Sequence, residues 1–148
     1  MIVERYMQKT EEVSVKVVQT QIDSLKRKNI TKTGYRAYDG KFIGIAGALG
    51  VHDRAALEAE ARSALSLKVP YEYEVSGDMK EYITLSDDII PEDELMVEIE
   101  SFLESVRSAQ PDFSFSNTVK LINYEACMSN DSGLDLCYKD RLFMLSLL

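Results

Sequence analysis

The sequence predicts an α+β fold: antiparallel β-meander modules with two helices packed on one face. Three observations carry this. Runs of period-two alternation occupy both ends of the chain, an Asp-Gly turn joins two strand-like runs near the start, and two stripes of helical spacing lie between the ends. The chain of 148 residues is read as a single domain, 1–148, and its 45% apolar content is enough for a buried core.

Glu12 to Gln19 reads EVSVKVVQ, with Val13, Val15 and Val17 on one face, as in a half-buried strand. Ile22 to Lys28 reads as its partner beyond a turn near Thr20-Gln21, and Asn29 to Gly34 as a loop in which Gly34 supplies a left-handed position. Tyr35 to Tyr38, Asp39-Gly40 and Lys41 to Ala46 then form a hairpin with a two-residue type I′ turn. The first quarter is thus a four-stranded meander. Gly44, Gly47 and Gly50 follow, at a spacing that matches neither a phosphate-binding loop nor a dinucleotide fingerprint.

Asp53 is placed to cap a helix over Arg54 to Leu67, whose stripe is Leu57, Ala61, Ala64 and Leu65; the small residues allow close approach to a sheet, and Pro70 ends the segment. Tyr71 to Val75 and Glu81 to Leu85 alternate with carboxylates on one face, which suits extended or edge segments. Pro91 opens a second helix with Glu92, Asp93 and Glu94 at its positive end; Leu95, Ile99, Phe102, Leu103 and Val106 are its buried stripe, and Pro111 closes it. Strands are expected at Phe113 to Ser116, Val119 to Met128, Leu134 to Tyr138 and Arg141 to Leu148, the last of them apolar and buried. The segment Lys32 to Arg36 parallels Asp131 to Asp135, and Tyr38 to Ile43 parallels Tyr138 to Phe143, which suggests a repeated meander.

The net charge of −8 is unevenly spread: residues 1–48 carry nine Lys/Arg against five Asp/Glu, and residues 70–112 carry two against thirteen. Such an acidic chain is unsuited to phosphate backbones, so nucleic acid is not an expected partner. No apolar run is long enough for a membrane helix and no signal sequence is visible, so the chain reads as cytoplasmic, without a membrane partner. Cys127 and Cys137 would face each other across a hairpin centred near Ser132, where a bridge is geometrically conceivable; the expectation is two reduced thiols.

The inventory of reactive groups is short. One histidine, His52, reads as a loop or cap residue, since a lone His builds no zinc site and no nucleophile motif accompanies it. Ser86-Asp87-Asp88 and Asn130-Asp131-Ser132-Gly133 lack the full calcium-loop pattern. No catalytic or metal-ligating residue is assigned, and no cofactor is expected in this chain.

Several pieces, in order, resemble the N-terminal domain of the TldD/PmbA family. A strand pair and polar loop lead to Gly34-Tyr35-Arg36-Ala37-Tyr38, similar to that family's GVRV segment, then to Gly40, Gly44 and an Ala/Leu-rich helix. Far downstream, Asn130, Ser132 and Gly133 resemble its N-S-x-G segment, with Asp131 inserted. The resemblance implies zinc-dependent peptidases, also called modulators of DNA gyrase, that work on unfolded peptides as homo- or hetero-dimers in peptide processing or maturation. Their HExxxH motif has no match here, so the expectation is a domain truncated before the catalytic, zinc-binding portion and inactive alone. Its expected role is structural, in assembly or in peptide guiding, with a peptide or protein partner. Gly34, Arg36, Gly40, Gly44, Asn130, Ser132 and Gly133 are carried over as motif residues of structural type. The alternative is a free-standing protein-interaction module without proteolytic activity.

Overall fold

The computed structural model describes residues 1–86 and 90–146. The expected acidic loop at Ser86-Asp87-Asp88 and the end of the apolar run at Leu147-Leu148 lie partly outside them. Strands β1 (Ile2–Val18), β2 (Gln21–Tyr38) and β3 (Phe42–Leu49) come first, followed by helix α1 (Arg54–Ser63) and one 3-10 turn (Ala64–Leu67). The short β4 (Val69–Pro70) and β5 (Lys80–Thr84), helix α2 (Glu92–Ala109), and strands β6 (Asn117–Asn130) and β7 (Asp135–Ser146) complete the order. The strands pair in the order β4-β3-β2-β1-β6-β7-β5. The fold is α+β as expected, but the sheet is mixed, because β5 runs parallel to β7 while β3 runs antiparallel to β2 and to β4.

The chain divides into two units. One comprises residues 1–10, 30–85 and 125–139, and the other residues 11–29, 86–124 and 140–148. The long strands β1, β2, β6 and β7 each supply residues to both.

In the first unit, Val3, Tyr35, Ala37, Leu57 and Ala61 form the core, so α1 covers β1 and β2 through the stripe its spacing predicts. Asp53 caps α1: its Oδ1 accepts from the N–H groups of Ala55 at 2.8 Å and Ala56 at 3.1 Å. The helix ends before Pro70, at Lys68, whose φ of 51° is left-handed. In the second unit, α2 buries Leu95, Ile99 and Leu103 against Val15, Val17, Val119 and Leu121. Burial of each large aliphatic side chain is worth roughly 1.5–3 kcal/mol, and this stripe holds α2 on its strands.

Several expectations are corrected. Asn29 to Gly34 is strand, not loop: Lys32, Thr33 and Gly34 pair with Leu49, Ala48 and Gly47, and the β-branched Thr31 and Thr33 suit that extended path. The first quarter therefore holds three strands, not four, and Gly34 takes no positive φ. The hairpin turn is centred on Gly40-Lys41: Asp39 N–H donates to Phe42 O at 3.4 Å, and only Gly40, at φ 100°, is left-handed. Asp39 contributes its carboxylate instead, accepting from the N–H groups of Lys41 and Phe42 at 3.0 and 2.8 Å.

Phe113 to Ser116 is not a strand. Its backbone is tied to the β1–β2 turn, with Thr20 N–H donating to Phe115 O at 2.9 Å. Phe102 is 49% exposed rather than part of the α2 stripe. Strand β7 runs unbroken through Lys139 and Asp140, and Leu142 to Leu145 are each about half exposed rather than buried. With Gly34 extended and Gly133 in a turn at φ 91°, the two glycines are not equivalent and the repeated meander does not exist. Cys127 and Cys137 are joined by a disulfide between the neighbouring strands β6 and β7, against the expectation of two thiols. The tight Asn130–Gly133 turn brings them opposite each other.

Candidate functional site

Within the first unit, Asn130, Ser132 and Gly133 meet the acidic connection between β4 and β5, and Gly40 lines the groove beside its start. At its start, Tyr71 N–H donates to Lys41 O at 2.9 Å, and the Tyr38 and Tyr71 rings meet with centroids 5.1 Å apart. Tyr73 packs edge-on against Tyr71 at 5.4 Å. At its end, the β6–β7 turn takes over. Asp78 N–H donates to Ser132 O at 2.8 Å, Asn130 Nδ2 to Ser76 O at 2.6 Å, and Asp135 N–H to Met79 O at 2.8 Å. Asn130 also holds its own turn, its Oδ1 accepting from Ser132 N–H at 2.9 Å and Leu134 N–H at 3.1 Å.

Between the β2–β3 hairpin and this connection lies a groove of about 570 Å³. Tyr38, Tyr71 and Tyr73 give it aromatic faces, Glu72 and Glu74 an acidic rim, and Lys41 and the Met1 amino terminus positive charge. Such a surface suits an extended peptide with apolar or basic side chains.

Beneath the groove, Glu4 is buried and forms an ion pair with Arg36, which also donates to Met128 Sδ at 3.9 Å. Tyr38 OH lies 3.5 Å from Glu4 Oε1 as a donor. Burial first, and then the Glu4 carboxylate, push the Tyr38 phenol up to about 12. Tyr38 therefore presents a neutral hydroxyl at any physiological pH.

Of the carried-over residues, Arg36 pairs with Glu4, which in turn accepts from the groove-lining Tyr38, Gly40 makes the hairpin turn, and Asn130, Ser132 and Gly133 meet the far end of the connection. Gly34 sits mid-strand opposite Gly47, away from the groove's lining. Gly44 belongs to the helix contact: a Cβ there would lie 2.1 Å from Ala61 O. Sequence reasoning missed Glu4 and the tyrosines. The adjacent burial of Val3 and Glu4 means both faces of β1 are covered at that point, a feature that period-two reading overlooks.

Strand β5 forms the edge of the sheet beyond β7, opposite β4. Asp135 N–H reaches Met79 O, and Leu85 N–H reaches Lys139 O at 3.0 Å. In a parallel ladder alternate residues face the partner strand, so Met79, Glu81, Ile83 and Leu85 address β7. Lys80, Tyr82 and Thr84 turn their N–H and C=O groups to the open edge, and the whole strand is exposed.

Two solved structures share this fold. TldE from Thermococcus kodakarensis superposes over 95% of this chain and 34% of its own with a TM-score of 0.70 at 15% identity. A protein described as a candidate modulator of a DNA gyrase, from Thermotoga maritima, superposes over 97% of this chain and 34% of its own with a TM-score of 0.75 at 18% identity. The fold is TldD/PmbA-like. The chain spans about a third of the length of these TldD/PmbA-like structures. No family model and no curated protein matches the sequence.

The zinc that the resemblance implies finds no fit to the expected motif. The one histidine, His52, places its Nδ1 2.9 Å from Gly50 O, and there is no second histidine to complete HExxxH. Among the described residues one group of three metal-capable side chains comes together, Glu125, Cys127 and Cys137. No helix of the described residues is long and apolar enough to cross a membrane.

Proposed function

We infer that this chain is a TldD/PmbA-family domain, without catalytic chemistry of its own, that receives extended peptides and guides them toward a processing portion of a larger protein or its partner subunit. The observation that carries this reading is the open edge of β5. Three residues, Lys80, Tyr82 and Thr84, have no strand partner on their outer side among the described residues, and the connection that leads into β5 lines an acidic, tyrosine-bearing groove at its other end. An incoming strand gains main-chain hydrogen bonds from such an edge, while pockets for alternate side chains give preference. The carboxylates of Glu72 and Glu74 on the groove favour basic peptides by steering and rim contacts.

The reading predicts binding without cleavage. Calorimetric titration with an unfolded peptide of alternating Lys and Leu should show saturable binding that weakens as salt rises. A Glu/Leu counterpart of the same length should bind at least about tenfold more weakly, since a tenfold ratio corresponds to only about 1.4 kcal/mol. Equal binding of both peptides, or of neither, contradicts peptide guiding. Capture of a folded basic protein without capture of unfolded peptide favours the free-standing interaction module instead.

A further inference from the structure

The disulfide pair holds a third group within reach. Glu125 Oε1 lies 3.7 Å from Cys127 Sγ and 3.7 Å from Cys137 Sγ. These donor atoms all fall within 4.8 Å of one another and are half-buried. Period two explains the set: Glu125 and Cys127 project from the same face of β6, and Cys137 comes from adjacent β7. An open cavity of about 190 Å³, lined by both cysteines together with Tyr6, Ile83 and Leu136, gives access from solvent. This cluster lies outside the peptide groove and does not depend on the function inferred for it.

We propose that Glu125, Cys127 and Cys137 form a redox-gated site for a thiophilic divalent cation of the zinc class, with the disulfide as its closed state. A thiol reductant opens the site: two reductant thiols close to their own disulfide and pass two electrons and two protons to the bridge, leaving Cys127 and Cys137 as thiols. The cation then displaces both protons and takes two thiolates and one carboxylate. Tetrahedral zinc holds sulfurs at about 2.3 Å, hence about 3.8 Å from each other.

Three protein ligands leave a fourth position to water, on the side of the cavity. Two thiolates select against magnesium and calcium. The ligand set carries three negative charges, and Lys139 Nζ, 3.7 Å from Glu125 Oε1, offsets part of the excess left by a divalent ion. Zinc binding and disulfide formation exclude each other, since both consume the same sulfurs.

Cobalt(II) is the probe. The whole chain, reduced with a phosphine, desalted under argon and titrated, should bind one equivalent and develop a thiolate-to-cobalt charge-transfer band that zinc abolishes. Oxidised protein should show no band, and neither should C137S. Glu125→Gln should keep the band but weaken cobalt binding by about tenfold or more, since even second-shell changes cost 10–100-fold. Oxidised and reduced wild type need no substitution, which keeps the test readable if C137S fails to fold. Absence of the band in reduced wild type, or unchanged affinity in Glu125→Gln, overturns the proposal. So does loss of the native circular dichroism on reduction alone, which makes the bridge a structural staple.

Discussion

The Cα of Gly44 rests so close to α1 that an added Cβ would stand 2.1 Å from the Ala61 carbonyl oxygen and 2.7 Å from the Leu65 backbone nitrogen. Both obstacles are backbone, so no side chain can swing aside. Ala61 is itself fully buried, so helix and sheet are in close contact at Gly44 and Ala61.

Gly44→Ala should therefore destabilise the protein by about 2–3 kcal/mol through overpacking. Gly34→Ala is the internal control. The nearest atom to its Cβ is Ala46 O at 3.9 Å and its φ is not positive. That substitution should be neutral or stabilising by up to about 0.5 kcal/mol, through a less flexible unfolded chain. Denaturant midpoints at constant m-value measure both.

Removing Arg36 strands a buried carboxylate. Arg36→Met should cost about 2 kcal/mol, less than the 3–5 typical of a fully buried pair because Arg36 is a third exposed. Glu4→Gln in the same background should restore part of the loss, since it removes the charge left without a partner. Equal stability of the single and double variants would mean that the pair is not coupled.

Tyr38 fixes an alkaline limit. Its folded phenol is raised to about 12 from an ordinary value of 10. A group held protonated by the fold contributes stability fully present below the unfolded value, and that contribution is lost as pH rises through the folded one. Stability should thus fall between pH 10 and 12 in wild type, and less steeply in Tyr38→Phe. Spectrophotometric tyrosine titration of the two proteins identifies the late-ionising phenol.

Asn130→Ala removes an acceptor of two turn N–H groups and the donor to Ser76 O. A loss of about 2 kcal/mol is expected, with faster hydrogen exchange concentrated at residues 76–79 and 132–134. Uniformly faster exchange across α1 as well would contradict a local role.

Much of this architecture was legible because local chemistry and tertiary packing agree. Asp53, the Leu57/Ala61 stripe, and Leu95, Ile99 and Leu103 act as their spacing predicts. Loss of legibility begins where pairing overrides propensity. Asn29 to Gly34 looks polar enough for a loop, yet β3 supplies partners for Lys32, Thr33 and Gly34 and draws the segment straight. Lys139-Asp140 resembles a turn, but β7 carries Lys139 on through register with Thr84. Two non-glycine residues, Gln19 and Thr20, make the β1–β2 turn at φ 50° and 60°, one residue before the Thr20-Gln21 turn that the sequence predicts. For the candidate site, the motif glycines and Asn130 were visible individually. The connection from Tyr71 to Met79, which Asn130 and Ser132 hold, was not, because it has no regular structure and only long-range bonds define it.

The open edge of β5 is the point on which the functional account rests, and amide hydrogen exchange reads it residue by residue. On addition of a saturating unfolded Lys/Leu peptide, the amides of Lys80, Tyr82 and Thr84 should slow, while those of Glu81 and Ile83, already facing β7, should change little. Unaltered exchange at Lys80, Tyr82 and Thr84 in a protein shown to bind that peptide would contradict strand addition at this edge.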